Sequence, residues 1–175
     1  MGYASNEGKA FAIGELMKLH KDPEFFLDIG AGAGSWLEAV RPWFLQSKWM
    51  AIEAWKPYVE RFCLPDRYAA VFTGDARNLS FPQVDVVIMG DVLEHMTKED
   101  AVTVWKKARD SSWQLTILSI PVVHYPQGHV HDNPYQEHVK DDWTHEEVMD
   151  TFEGIKRCQL GSVVGTYVAK GGGRP

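Results

Sequence analysis

Cysteine is scarce. Cys63 and Cys158 are the two in 175 residues, far apart and without metal or redox spacing. A disulfide scaffold and a zinc ribbon are excluded, and each thiol reads as a small buried hydrophobe. No apolar run approaches the roughly 18 residues of a membrane helix. The opening Met1-Gly2-Tyr3-Ala4-Ser5-Asn6 lacks the basic-then-apolar form of a signal peptide. Asn6 also stands where a myristoylation signal carries Ser or Thr. A cytoplasmic protein with no membrane partner is expected.

A basic stripe is missing too. The formal net charge is -6, and its surplus acids cluster between His124 and Asp150, where Lys140 is the only base. The rest of the chain balances. Phosphate neutralisation supplies most nucleic-acid affinity, so duplex DNA is not an expected partner.

What is present is the balance of a globular domain: 45% apolar and 24% charged residues. Helical and strand patterns alternate. A first helix capped by Ser5 would bury Ile13, Leu16, Met17 and His20. Apolar runs at 25–29, 49–53, 68–73, 84–89 and 115–120 read as strands, with helices at about 35–45, 57–62 and from Thr97 onward. Thr144-His145-Glu146-Glu147 forms a capping box, with Trp143 and Val148 as its hydrophobic staple. Two closing strands, 155–160 and 163–169, flank a Gly161-Ser162 turn. Between them and the fifth strand, Val122 to Asp142 has no period and is rich in His, Pro, Gly and Asn. Loops of this length in compact domains are usually functional.

The chemistry gathers at strand ends. Asp28-Ile29-Gly30-Ala31-Gly32-Ala33-Gly34 runs from a strand into a glycine turn and a helix, where open α/β sheets bind ligands. A dinucleotide fingerprint would carry its third glycine at Ser35, which disfavours a nicotinamide cofactor. Glu53 ends the second strand, where a carboxylate can accept both hydroxyls of a ribose or simply be a solvated charge. Asp75 and Asp91 end the third and fourth. Four carboxylates at one sheet edge describe a crevice for a polyhydroxyl ligand, one that tolerates positive charge.

Together with Asp91-Val92-Leu93-Glu94-His95 and Asn133-Pro134-Tyr135, these segments resemble the class I S-adenosylmethionine-dependent methyltransferases of small-molecule type. The resemblance implies one domain over 1–175, a Rossmann-like three-layer αβα sandwich whose mostly parallel sheet ends in an antiparallel strand. It implies S-adenosylmethionine as cofactor, held by Asp28, Gly30, Ala31, Gly32, Glu53, Ala54, Asp75, Ala76, Gly90 and Asp91. The expected reaction is O- or N-methylation of a small neutral or cationic acceptor. A non-catalytic cofactor-binding subunit and an NAD-dependent oxidoreductase are the alternatives.

Histidine supplies the candidate bases, because it titrates near neutrality. His124, directly after the fifth strand, is the first choice, followed by His95 and His138; His129 and His131 share the loop. The loop at 122–142 is expected to be the acceptor-side lid, with Tyr125 and Tyr135 lining the acceptor pocket, and 171–175 a flexible tail. Asp91, Glu94 and His95 have a D-x-x-E-H spacing, which resembles the E-x-x-E-H arrangement with a later His by which some methyltransferases of this class bind a divalent ion. Val-Leu-Glu-His is also common in members without metal, and the sequence alone assigns no ion.

Overall fold

The computed structural model of the chain describes residues 5–130 and 132–172. Seven strands form one sheet: β1 (Phe25–Ile29), β2 (Lys48–Glu53), β3 (Ala70–Thr73), β4 (Val84–Gly90), β5 (Ser112–Pro121), β6 (Ile155–Leu160) and β7 (Val164–Lys170). Their order is β3-β2-β1-β4-β5-β7-β6, with the first five parallel and β7 antiparallel to both neighbours. The reversal of strand order between β1 and β4 opens the crevice at the carboxyl ends of the strands. This is the Rossmann-like sandwich expected from the sequence.

Alternation along the strands builds two cores. Leu27, Ile29, Val87 and Met89 face one way, onto α4 (Lys98–Ser111) and α5 (His145–Thr151). Phe26, Ala51, Val86 and Ile88 face the other, onto α1 (Lys9–Leu16) and α2 (Ser35–Val40). The remaining helix, α3 (Lys56–Arg61), adds Val59 to that second layer. All seven residues of β4 are buried, as a central parallel strand covered on both faces requires.

The helix ends follow local chemistry. Thr97 and Thr144 accept hydrogen bonds from the backbone N–H groups of Asp100 and Glu147, capping α4 and α5. The staple residues Trp143 and Val148 are both buried. Pro42 removes a donor, and α2 gives way to a 3-10 turn at Arg41–Trp43. Trp36, Trp49 and Trp105 are core residues.

Several expectations are overturned. The first helix ends at Leu16 and buries Lys9, Ala12 and Leu16, while Met17 is exposed. Ser5 does not cap it; Gly8 holds that position, and the Ser5 hydroxyl accepts from the Glu7 N–H instead. Cys63 and Cys158 are exposed rather than buried, one beyond α3 and one on the edge strand β6. At the C-terminus, Gly171 and Gly172 donate to the carbonyls of Gln114 and Arg109, so they are pinned and not a loose tail; residues 173–175 lie outside the described residues. Among the described residues no helix is long and apolar enough to cross a membrane.

Candidate active site

A cavity of about 480 Å³ opens at the carboxyl edge of the sheet. Gly30, in the turn after β1, has φ 70°, and a Cβ there would stand 2.5 Å from Val92 Cγ2. Only glycine supplies both the left-handed backbone and the clearance. Two residues on, the turn is bolted to β2: Gly32 N–H donates to Glu53 Oε2 at 2.8 Å, and Trp55 N–H donates to Oε1 at 2.8 Å. Glu53 is thus held rigid at the cavity wall, and burial raises its pKa. Each of its oxygens keeps a second lone pair for a ligand.

Asp28 lies beneath this turn, outside the cavity lining. It is 1% exposed and accepts from the Tyr68 hydroxyl at 2.7 Å. Burial, reinforced by nearby Glu53, pushes its pKa up to about 7 against that hydrogen bond. Lys9, also buried, is the adjacent cation. Its ammonium donates to Ser35 O at 3.3 Å and sits 5.5 Å over the Trp36 ring.

Asp91 adopts φ 55°, a left-handed conformation unusual outside glycine. Its carboxylate accepts from Ser5 N–H at 2.6 Å and from the Ser119 hydroxyl at 2.9 Å, so the N-terminal segment reaches the site. Glu7, two residues on, accepts from the backbone N–H groups of Ser162, Val163 and Val164 and from the Ser162 hydroxyl. The Ser162 bond, with those backbone donors, holds its pKa down at about 2. Opposite, Asp75 is gripped by Arg77, which donates from Nε and Nη2 at 2.9 and 2.6 Å. Partial burial opposes ionisation of Asp75, but the Arg77 bonds prevail and its pKa is lowered.

The far wall comes from the turn after β4 and from the 122–142 loop. His95 Nδ1 lies 3.0 Å from Glu137 O, and His138 Nδ1 lies 2.6 Å from Tyr125 O. A carbonyl only accepts, so each ring donates from Nδ1 and its Nε2 is the nitrogen not spent on that carbonyl. Burial pushes His95 down to about 4, which keeps it neutral. The loop folds on itself through Tyr125 N–H to Asp141 O at 2.8 Å and His138 N–H to Gln127 O at 2.9 Å.

Residues 27–112 match a family model described as a methyltransferase domain. Over that segment, about half of the chain, the protein is similar to the methyltransferase domain family. Solved structures agree at the level of fold. An S-adenosylmethionine-dependent methyltransferase from Clostridium acetobutylicum superposes with TM-score 0.71 at 13% identity, over 93% of this chain and 89% of that one. An O-methyltransferase family protein from Burkholderia thailandensis gives 0.63 at 13% identity, over 93% and 55%. The O-methyltransferase of neocarzinostatin biosynthesis, solved with S-adenosyl-L-homocysteine and 1,4-dihydroxy-2-naphthoic acid, gives 0.61 at 12%, over 83% and 48%. The chain spans about half the length of several of these proteins. No curated protein sequence matches it significantly.

Of the residues picked out by sequence, the fold brings Gly30, Gly32, Glu53, Ala54, Asp75, Ala76, Gly90, Asp91, His95 and His138 to the cavity, and leaves Asp28, Ala31 and His124 off its lining. His124 turns outward, its side chain 71% exposed and 3.4 Å from Asp141. His129 is exposed against Glu137 at 3.3 Å, and His131 lies outside the described residues. His145 stacks on Tyr167, with its Nδ1 3.0 Å from the phenol oxygen. Tyr125 and Tyr135 do line the cavity, and Trp55 flanks it by tilting against Tyr135. Sequence reasoning missed Ser5, Glu7, Gln127 and Gln136. Ser5 looked like a helix cap, and nothing local marks the others.

Proposed function

We propose that this chain transfers a methyl group from S-adenosylmethionine to an O–H or N–H group of a small, neutral or cationic molecule. The observation that carries the reading is the division of one cavity into two chemically distinct ends. One end has the glycine turn and the rigid Glu53 carboxylate, a cradle for a nucleoside diol and its chain. The other has two imidazoles whose Nε2 atoms are not spent on backbone carbonyls, lined by loop aromatics.

The residues present fit the cofactor. Five carboxylates (Glu7, Glu53, Asp75, Asp91 and Glu94) and the Arg77 guanidinium line the cavity, a balance that favours a ligand carrying positive charge. Asp28 acts from below, as a support of the turn that carries Gly30 and Gly32.

S-adenosylmethionine supplies a methyl group on positively charged sulfur, which departs as a neutral thioether. The protein's part is alignment, exclusion of water and removal of one proton. Held by the glycine turn and Glu53, the cofactor would supply that methyl group to the acceptor's lone pair and keep the carbon–sulfur electrons as the thioether. The acceptor's proton passes to a free imidazole nitrogen at the far wall, for which His138 and His95 are placed. The loop carrying His138 closes that end against solvent.

Two measurements test this. Thermal shift with S-adenosylmethionine, its demethylated product and NAD should show stabilisation by the first two only; a shift with NAD alone overturns the reading. His138→Ala should lower turnover about a hundredfold once an acceptor is in hand. Affinity for S-adenosylmethionine should stay within about threefold, because His138 stands at the opposite end from Glu53. Unchanged turnover removes the loop from the chemistry.

A further inference from the structure

One buried charge in the cavity still lacks a partner. Glu94 is 1% exposed and lines the wall, and among the described residues neither of its carboxylate oxygens receives a hydrogen bond. Burying a carboxylate is heavily penalised unless something compensates it, and the charge that acts on it, Asp91, has the same sign. The ammonium groups of Lys98 and Lys140 are spent on Glu147 and Asp142. Beside Glu94 stand two imidazoles, of His95 and His138. Each gives its Nδ1–H to a backbone carbonyl, so Nε2 is the nitrogen that a neutral ring leaves to accept. Acceptors converge here without a donor to answer them.

We propose that Glu94, His95 and His138 form the binding site of a primary ammonium group. Three acceptors, each about 2.8 Å from one tetrahedral nitrogen, stand roughly 4.6 Å apart. One oxygen of Glu94 and one nitrogen of each ring lie within 4.8 Å of one another. An ammonium brings three N–H donors together with the positive charge that Glu94 lacks. A hydroxyl would answer one acceptor and leave the carboxylate uncompensated, and a quaternary ammonium would bring charge without a donor. The site also holds its shape unaided. Lys140 N–H donates to Glu94 O at 3.0 Å, and His95 meets Glu137 O of the same loop, so turn and loop keep their distance.

The surroundings favour the same class. Tyr125 and Tyr135 line the cavity, and the Tyr125 ring stands 5.7 Å from that of His138. Aromatic rings there attract a cation and seat an apolar skeleton. Glu137, Asp141 and Asp142 belong to the same loop, part of the acidic surplus that draws cations out of solvent. The acceptor is therefore a small primary amine with an aromatic or apolar body. That step rests on the methyltransferase reading; the ammonium site does not.

The test therefore omits the cofactor. The protein, in buffer containing EDTA, is titrated calorimetrically with 2-phenylethylammonium chloride, with 2-phenylethanol and with trimethyl(2-phenylethyl)ammonium chloride. The primary ammonium should bind saturably, one per chain, and at least about tenfold tighter than either control, since hydrogen bonds to a charged group are the strong ones. Glu94→Gln should weaken it by more than about thirtyfold and His138→Ala by about tenfold. His124→Ala and His129→Ala, which remove the exposed histidine–acid pairs, should leave it unchanged. Near-UV circular dichroism matching that of the unaltered protein shows that the variants fold. No saturable binding, equal binding of the alcohol or of the quaternary ion, or binding that survives Glu94→Gln overturns the site. So does binding lost with His124 or His129. Thermal stabilisation by S-adenosylmethionine, measured separately, decides the cofactor reading, so either result can fail alone.

Discussion

Glu53→Ala should weaken S-adenosylmethionine binding by at least about two orders of magnitude, measured by calorimetry. Two hydrogen bonds from a ribose diol to a carboxylate are each worth roughly 1.5–3 kcal/mol, and a hundredfold loss is about 2.7 kcal/mol. The substitution also frees the Gly32 and Trp55 N–H groups that Glu53 holds, so the glycine turn loses its bolt to β2 along with the ligand contact. Both effects act on the cofactor end, so the loss should appear in affinity for the product as well as the substrate form. The fold should survive, because neither hydrophobic core includes Glu53. Affinity within a few-fold of the unaltered protein would remove Glu53 from the ribose role.

The second large effect concerns stability. Asp28→Asn should stabilise the cofactor-free protein above pH 7, by an amount on the order of 3 kcal/mol. The Asp28 pKa is 3.8 in its ordinary environment and is pushed to about 7 by burial. Between those values the folded chain holds a proton that the unfolded chain has lost, so stability falls as pH rises through this window. Below pH 4 both states are protonated and the aspartate costs nothing. Above pH 7 the full cost of a buried charge is present. Asparagine has no such charge and can still accept from the Tyr68 hydroxyl. Urea unfolding of both proteins at pH 4 and pH 8 checks this: the stability difference should be near zero at the first and large at the second. A difference independent of pH would show that Asp28 is compensated in the folded state, by Lys9 above all.

The features legible in the sequence are those written over short stretches. Apolar runs ending in Asp28, Glu53 and Asp91 announce parallel strands and their shared edge, and the glycine spacing announces the turn. Thr97 and Thr144 announce two helix starts. These signals are local, since propensity and capping need only neighbours. The acceptor end was far less legible. His124 follows β5 in sequence and so looked like the base, yet the chain swings away after Val122 and the ring finds Asp141 outside. His138, 14 residues later, is brought back by a backbone pair with Gln127 that has no periodicity to reveal it. The first helix failed for a related reason. Its buried face is chosen by packing against β7 and α2, and it takes the stem of Lys9 in preference to Met17.

The link between β3 and β4, residues 74–83, has to cross three inter-strand spacings, about 14 Å, while returning the length of a strand. Ten residues reach about 33 Å extended but only about 15 Å as a helix, so no crossover helix fits. One ammonium ties the span to a neighbouring helix instead. Lys107 of α4 donates to the carbonyls of Ala76, Arg77 and Leu79, at 2.6, 3.1 and 2.7 Å. In a doubly wound sheet a helix would shield that flank, and here β3 is left half open, with Phe72 at 40% exposure. The cavity wall formed by Gly74, Asp75 and Ala76 is therefore moored to a neighbouring helix rather than buried beneath one of its own. Removing that ammonium should therefore loosen residues 76–79, on the flank of the cofactor end, ahead of the strands behind them.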